Sequence, residues 1–345
     1  MIPVLEAVPN LSEGRDPDFL DEAVRVVASC GADVLDRSMD PDHHRSVMTL
    51  VGDPPDVEEA AVRLAVLAVE RIDLTKHRGV HPRIGALDVL PFVPLSGCGM
   101  EDAVATAHRA GQRLSNLGLP VYFYGEASDP PGRGLAEIRR GGFEALREGD
   151  PAERPPDLDG GRTGVHPTAG AVCVGARRLL LAWNVWIEGV PLEALRRVAR
   201  DLRERAGGLP GVRALALPLP ARDAVQLSMN LERVEDRDPM TVFRTVEEKV
   251  MSLGGEIRGT EVIGMIPETL VLTAARDRLR LFEPTPDRLL PVGVARHLAA
   301  RTDRDLAALL SWVGTRESEM PEEIRGVVRR LAERPRHESS PSERP

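Results

Sequence analysis

The stretch HRGVHPRIGALDVL, residues 77–90, places two histidines and two arginines directly before an apolar run. His77 and His81 have the four-residue spacing of zinc ligands on a helix, but Pro82 follows His81 and disfavours helical backbone there. We therefore expect no metal site at this position. Two interpretations of His81 stay open. It is either a structural loop histidine or a general acid/base group at the end of a strand, where functional residues often collect.

A second His-Pro segment resembles the first. HPTAGAVCV (166–174) repeats the order of HPRIGALDV (81–89): His-Pro, two residues, Gly-Ala, then a strand-like run. Glycines at positions 160, 161, 164 and 170 surround it, and a glycine at the start of a strand lets a ligand or another backbone approach closely. Neither GxxxxGK[ST] nor GxGxxG is present. The loop therefore suits a flat ligand with hydrogen-bond acceptors better than a phosphate group.

The segments that must position these residues alternate along the first part of the chain. The pattern predicts a strand at 2–8, a helix begun by Asp16 and Pro17, two strands (ADVLDRS and RSVMTLVG), a helix at about 56–72 and a strand, GALDVLPFVPL. This β-α-β-β-α-β order is that of a ferredoxin-like unit. A helix near 101–117 and a strand at 119–125 extend it, and one helix at about 134–147 is predicted within the Gly- and Pro-rich residues 125–170.

The same order then recurs. A strand at 179–187 and the helix PLEALRRVARDLRERA precede two strands joined by a turn at 221–223, and a helix capped by Asp238 leads to the strand EIRGTEVIGMI. We predict an α+β fold of two ferredoxin-like subdomains, 1–178 and 179–281, packed to form a cleft. A partly helical and partly disordered extension, 282–345, follows them.

Composition excludes several classes of protein. Hydrophobic residues make up 42% of the chain, but no apolar run is long enough to span a membrane, and the N-terminus lacks the pattern of a signal peptide. The three cysteines have no CxxC spacing, which is typical of a reducing cytoplasm. A net charge of −9 and 3% aromatic residues argue against nucleic-acid binding, including that of a ferredoxin-like RNA-binding module. We expect a soluble, cytoplasmic protein without nucleic-acid or membrane partners. No GxSxG motif or paired cysteine nucleophile supports acyl-enzyme chemistry.

Six segments taken together resemble one enzyme family. They are VPNLSEGRD, DHHRSVMTLVG, HRGVHPRIGALDVLPFVPL, VYFYGEAS, IRRGGFEAL and HPTAGAVCVGARRLLLAWNV, in that order. This order is similar to that of glutamate formimidoyltransferase, which also forms the N-terminal part of formimidoyltransferase-cyclodeaminase. The resemblance spans about residues 3–265. The helical cyclodeaminase half is not evident in the remaining residues, so we expect the transferase alone.

The resemblance implies a homodimer of chains with two α/β subdomains, a folate in the cleft between them, and His81 as the catalytic residue. It places the folate-contacting loop at Gly161, Arg162, Thr163, Gly164, Val165, His166, Pro167, Thr168, Ala169 and Gly170. Candidate polar or anion contacts are Asp40, Arg45, Arg83, Glu126, Arg177 and Asn184; the arginines would bind substrate carboxylates.

Three positions depart from the family. Trp186 replaces the second asparagine of the strand that carries Asn184. Ser38 aligns with an acidic residue, and Asp36 and Asp40 lie two residues to either side. Ala169 stands where animal members have an aromatic residue, so stacking on a pterin differs here.

The implied reaction transfers a formimidoyl group between N-formimidoyl-L-glutamate and tetrahydrofolate, the co-substrate, and needs no metal. Two alternatives stay open at this point. One is a folate-dependent formyltransferase that acts on N-formylglutamate, and the other is a non-catalytic folate-binding protein.

Overall fold

The computed structural model describes residues 3–219, 224–232, 234 and 238–281, together with the single positions 285, 286, 292, 295 and 302. Residues Pro3–Val271 form a compact unit that contains two β-sheets. The predicted turn at 221–223 lies outside the described residues. So does the predicted 282–345 extension, apart from those single positions.

The first sheet begins with the predicted ferredoxin-like unit. Its elements are β1 (Leu5–Ala7), β2 (Asn10–Leu11), α1 (Pro17–Ala28), β3 (Asp33–Asp40), β4 (Arg45–Gly52), α2 (Pro54–Arg71) and β5 (Leu87–Pro94). β1 and β2 lie between β4 and β5, and β3 pairs with β4, all antiparallel. This order is that of the ferredoxin-like arrangement. The predicted α+β fold class is therefore confirmed.

The remaining elements of this part enlarge the sheet on the far side of β5. They are α3 (Met100–Asn116), β6 (Val121–Gly125), α4 (Leu135–Ile138), α5 (Gly142–Glu148) and β7 (Val172–Ala176). β7 lies between β5 and β6 and runs parallel to both. α1, α2 and α3 contribute to one apolar core, which includes Phe19, Leu64 and Leu114 and the strand residue Phe92.

The predicted first strand, 2–8, is observed as the shorter β1, Leu5–Ala7, and the chain returns to the sheet beyond the predicted end as β2. The break falls at Val8 and Pro9, opposite Pro91 of β5. Neither proline has a backbone N–H, so the ladder loses donors on both strands at this point. The carbonyls still take part: Pro91 O accepts from Val8 N at 3.2 Å, and Pro9 O accepts from Met48 N at 3.1 Å.

The single helix predicted at 134–147 was wrong, because the structure contains two short helices, α4 and α5. Gly141, the N-cap of α5, and Gly142, its first residue, have φ angles of 75° and 70° where α4 gives way to α5. Two successive left-handed residues cannot continue a right-handed helix, and glycine adopts that conformation at little cost. The break turns the chain at Arg139, the C-cap of α4.

The second sheet repeats the ferredoxin-like order. Its elements are β8 (Leu180–Glu188), α6 (Leu192–Leu202), β9 (Val212–Leu219), β10 (Ala224–Glu232), α7 (Pro239–Ser252) and β11 (Glu256–Ile263), with the strand order β11-β8-β10-β9. As predicted, Asp238 caps α7, and its Oδ1 accepts from Met240 N at 3.0 Å. A last described helix, α8, spans Glu268–Leu279. Within the described part of the chain, no helix combines the length and apolarity that crossing a bilayer requires. The domain limits and the cleft between the subdomains stay predictions.

Candidate functional site

His81 lies half-buried in the loop between α2 and β5. Its Nδ1 is 2.8 Å from the carbonyl oxygen of Pro82. Because a carbonyl can only accept, Nδ1 must carry the proton and donate it. The neutral imidazole then has its basic lone pair on Nε2, for which no hydrogen bond to another described residue is found. His81 is therefore arranged to accept a proton at Nε2.

The surroundings of His81 keep the imidazole neutral. Burial lowers the pKa of His81 well below its usual value of 6.5, and the nearby positive charges of Arg45 and Arg139 lower it further. His43 also contributes, with its ring centroid 5.8 Å from that of His81. A neutral imidazole at pH 7 is the form in which histidine acts as a general base.

Both arginines near His81 are held by one carboxylate, that of Asp88 on β5. Asp88 is fully buried; its Oδ2 accepts from Arg45 Nη1 at 2.7 Å and also from Arg139. Oδ1 accepts from the backbone N–H of Ile84 at 2.8 Å. Burial opposes the charged form of Asp88, but Arg139 and Arg45 outweigh it and hold the pKa of this carboxyl below its usual value. We call these three charged residues the Asp88 cluster.

Arg45 is fixed on a second side by Asn10 of β2. Asn10 Oδ1 accepts from Arg45 Nε at 3.1 Å and from Nη2 at 2.6 Å. Burial lowers the pKa of Arg45 to about 10, which still leaves it charged at neutral pH. The guanidinium is therefore rigidly oriented and already paired.

The predicted site missed four of these residues: Asn10, His43, Asp88 and Arg139. Asp88 and Arg139 both lie in motifs that the sequence displays, HPRIGALD and IRRGG, but they are 51 residues apart. Nothing in the spacing of either motif indicates that the two side chains meet. Arg139 is the C-cap of α4, at the break between α4 and α5 that the helical pattern did not reveal.

Arg83, a second predicted anion contact, is also paired. Its Nη1 and Nη2 donate to the two carboxylate oxygens of Glu144 on α5, at 3.0 and 2.7 Å. This two-point ion pair ties the His81 loop to α5. Arg83 therefore orients the loop, and its terminal nitrogens are occupied in the structure.

The predicted folate loop divides into two halves of different character. In residues 166–170, His166 and Gly170 exchange two backbone hydrogen bonds of 2.8 and 2.9 Å, and His166 Nδ1 accepts from Ala169 N at 3.0 Å. These three hydrogen bonds all lie within residues 166–170. In residues 163–165, no hydrogen bond from a backbone N–H to another described residue is found. These three N–H groups are therefore the ones available to a ligand.

The repeated His-Pro segments pair with each other. Gly85 and Gly170 form a β-bridge, flanked by hydrogen bonds from Ala86 N to Ala169 O and from Ala171 N to Ile84 O, of 2.8 and 2.9 Å. A Cβ on Gly170, where φ is 72°, would lie 1.9 Å from the carbonyl oxygen of Ile84. The glycines thus permit close backbone approach, which fixes the His81 loop against the 166–170 turn.

The other predicted contacts lie in separate surroundings. Asp40 ends β3, and its Oδ1 accepts from His43 N at 2.8 Å. Glu126 is exposed after β6. Arg177 follows β7 and approaches Glu6, whose charge state it influences. Asn184 is buried on β8 of the second sheet, and its Nδ2 donates to Glu261 Oε2 at 3.3 Å. Of the predicted contacts, the structure shows Arg45 acting on the charge of His81. No group of three or more potential metal ligands occurs among the residues described.

Two family models match the chain. Residues 4–177 match the formiminotransferase domain, N-terminal subdomain, and residues 182–280 match the formiminotransferase domain. The glutamate formimidoyltransferase of Streptococcus pyogenes serotype M1 is 36% identical over 81% of this chain and 95% of its own length. That of Thermoplasma acidophilum is 38% identical over 81% of this chain and 93% of its own. The formimidoyltransferase-cyclodeaminase of Sus scrofa is 39% identical over 80% of this chain, which matches 52% of that longer protein.

Proposed function

The chain belongs to the formiminotransferase domain family and is a transferase, and we propose that it transfers a formimidoyl group between N-formimidoyl-L-glutamate and tetrahydrofolate. The observation that carries this proposal is the neutral His81, with Nε2 free beside the positively charged Asp88 cluster. Tetrahydrofolate is a substrate in this scheme, and no metal takes part.

His81 would move one proton in each transfer. Folate N5 attacks the formimidoyl carbon, which gives a tetrahedral intermediate with one proton too many on N5. Nε2 of His81 accepts that proton and then donates it to the departing glutamate nitrogen, so the C–N bond to glutamate breaks as the amine leaves. The products are 5-formimidoyltetrahydrofolate and glutamate, and the imidazole is neutral again. Such proton transfer typically contributes about 10²–10⁴ in rate.

Substrate binding would use two features of the site. The free N–H groups of residues 163–165 can donate to the acceptor atoms of a pterin. The Asp88 cluster has two guanidinium charges against one carboxylate, so it attracts substrate carboxylates even though each arginine is paired. This would explain how a chain with a net charge of −9 binds acidic substrates.

The test compares wild type with His81→Ala. We expect His81→Ala to bind tetrahydrofolate normally in a fluorescence titration and to lose about 10²–10⁴ in kcat. His108→Ala is the matched control, because its Nε2 lies 2.8 Å from the carbonyl oxygen of Ala127, on a different element, just as Nδ1 of His81 lies 2.8 Å from that of Pro82. Wild-type turnover by His81→Ala would refute the role of His81.

A second arm uses N-formyl-L-glutamate in place of the formimidoyl compound. The two groups differ only by O for NH, so the same site geometry fits both and turnover decides between them. Faster turnover of the formyl compound would refute the proposed substrate. The homodimer and the cytoplasmic location stay predictions; light scattering of the purified protein tests the first.

A further inference from the structure

Two loops meet next to His81, and histidines from both form their contact. They are the β3–β4 turn, residues 41–44, and the residues 77–83 that carry His81. We propose that His77 and His44 are positioning residues that lock these loops together and so orient His81 and His43. The inference rests on the proposed role of His81, but it concerns residues whose side chains neither transfer the proton nor hydrogen-bond to the Asp88 cluster.

His77 is buried, and its side chain makes one hydrogen bond to another described residue. Its Nε2 is 2.8 Å from the carbonyl oxygen of His44, so Nε2 carries the proton and donates. Its ring stacks on that of His44, with centroids 4.2 Å apart and planes 10° from parallel. Nδ1 of His77 is buried without a hydrogen-bond partner among the described residues. The contribution of His77 is therefore one N–H and one flat face, both directed at His44.

His44 has a backbone conformation that its surroundings must hold. Its φ angle is 51°, in the left-handed region that costs a non-glycine residue about 1–3 kcal/mol. Its Nδ1 accepts from Arg78 N at 3.3 Å, so Nε2 carries the proton and points to Glu13 Oε1 at 3.4 Å. The imidazole thus bridges the end of β2 and the His81 loop. Strain of this kind persists only where several contacts determine the conformation together.

Hydrogen bonds to backbone carbonyl groups also hold the two loops together. Val80 N donates to Asp42 O at 3.0 Å, and the Arg15 Nη2 donates to Pro41 O at 2.9 Å and to Arg78 O at 2.8 Å. A Cβ on Gly79 would lie 2.2 Å from His43 O, so the loops touch through their backbones. The rings of His43 and His81, one on each of the two loops, also contact each other.

The charge state of both histidines fits a positioning role. Burial lowers the pKa of His77 to about 4, and burial also lowers the pKa of His44. Both rings are therefore neutral at pH 7 and act as fixed donors and acceptors.

The test separates the two contributions of His77. His77→Phe keeps a flat ring against His44 but removes the N–H, whereas His77→Gln supplies an amide N–H at nearly the same distance from the backbone. We expect His77→Phe to lower kcat at least about tenfold, because displacement of a catalytic group by about 1 Å can cost 10²-fold. KM for both substrates should change less than about twofold. His77→Gln should recover most of kcat.

His108→Phe is the control, since it loses the same type of hydrogen bond away from the loops and should keep wild-type kcat. A spectroscopic readout needs no substrate: the imidazole NMR signals of His81, assigned with His81→Ala, should shift or broaden in His77→Phe and not in His108→Phe. Unchanged His81 signals with wild-type kcat in His77→Phe would overturn the proposal. So would an equal loss of kcat in His77→Phe and His77→Gln. If wild type lacks formimidoyl transfer, the proposed function fails, and the NMR result still decides whether His77 positions His81.

Discussion

Replacing Asp88 by alanine should destabilise the protein more than any other single charge removal near His81. Asp88 is fully buried, and its partners Arg45 and Arg139 are almost as well covered, with side chains 8% and 13% exposed. In Asp88→Ala, two guanidiniums would face each other with no carboxylate between them. Each guanidinium would still pay the free-energy cost of lost hydration, but it would no longer have the negative charge that offsets this cost.

The expected loss follows from these contacts. Removing one partner of a buried ion pair costs about 3–5 kcal/mol, and here one carboxylate serves two arginines, so we expect the upper end of that range. The backbone N–H of Ile84 also loses its acceptor, which adds about 1 kcal/mol. A loss of about 6 kcal/mol corresponds to a drop in Tm of about 12–24 °C for a domain of this size.

Urea denaturation of a small set of variants measures this loss. Glu188→Ala is the control, because Glu188 accepts from Arg258 Nε at 2.6 Å while both side chains are about half exposed, and such pairs contribute at most about 1 kcal/mol. In the double variant Asp88→Ala with Arg139→Met, removing one uncompensated charge should restore about 2 kcal/mol or more of the unfolding free energy. If Asp88→Ala costs no more than Glu188→Ala, the cluster is not a buried charge network and the reasoning fails.

Three further results are expected. The lowered pKa of His81 predicts that kcat/KM stays level from pH 7 upwards and falls only below pH 6.5, where the base becomes protonated; a pH–rate limb centred above pH 6.5 would contradict this. Burial raises the pKa of Glu6, so the folded chain keeps a proton that the unfolded chain releases above about pH 4.5, and stability falls as the pH rises. Glu6→Gln should therefore raise the Tm at pH 8 and leave it unchanged near pH 4, and equal shifts at both pH values would refute the burial argument. Gly170→Ala forces a left-handed alanine methyl against Ile84 O, 1.9 Å away, and should cost about 2–5 kcal/mol in urea denaturation. Gly161→Ala, at a φ of 68° but with open space around it, should cost only about 1–2 kcal/mol.

The order of secondary structure was predictable because its signals are local. Alternation and helical spacing in the chain, with Asp16 and Asp238 as N-caps, predict β-α-β-β-α-β twice, and the strand pairings have that arrangement. The limits of the first strand, in contrast, depend on a residue that is distant in the sequence. Val8 and Pro9 lie between β1 and β2, where the chain meets Pro91, 82 positions after Pro9, and no pattern within one segment reveals that opposition, so the return to the sheet as β2 was not predicted.

The site was predictable only as far as its motifs. His81 was proposed from the His-Pro motif and from the family resemblance, but its charged neighbours come from other segments. Arg83 pairs with Glu144 at a separation of 61 residues, and Asp88 with Arg139 at 51. Such pairs depend on how α4 and α5 lie against the sheet. Residue types alone therefore suggested free anion-binding arginines where the fold forms ion pairs.

The charge of the Asp88 cluster has two opposite effects on the proposed reaction. Two guanidiniums against one carboxylate would attract the acidic groups of the proposed substrates, but the same positive charge lowers the pKa of His81 and weakens it as a base. A substrate carboxylate bound near the cluster would cancel that second effect, because a negative charge close to an imidazole favours its protonated form. The pKa of His81 would then rise towards the working pH only when substrate is present. On this argument the arginines need not be unpaired to serve the reaction: their surplus charge both recruits the substrate and makes the basicity of His81 depend on it.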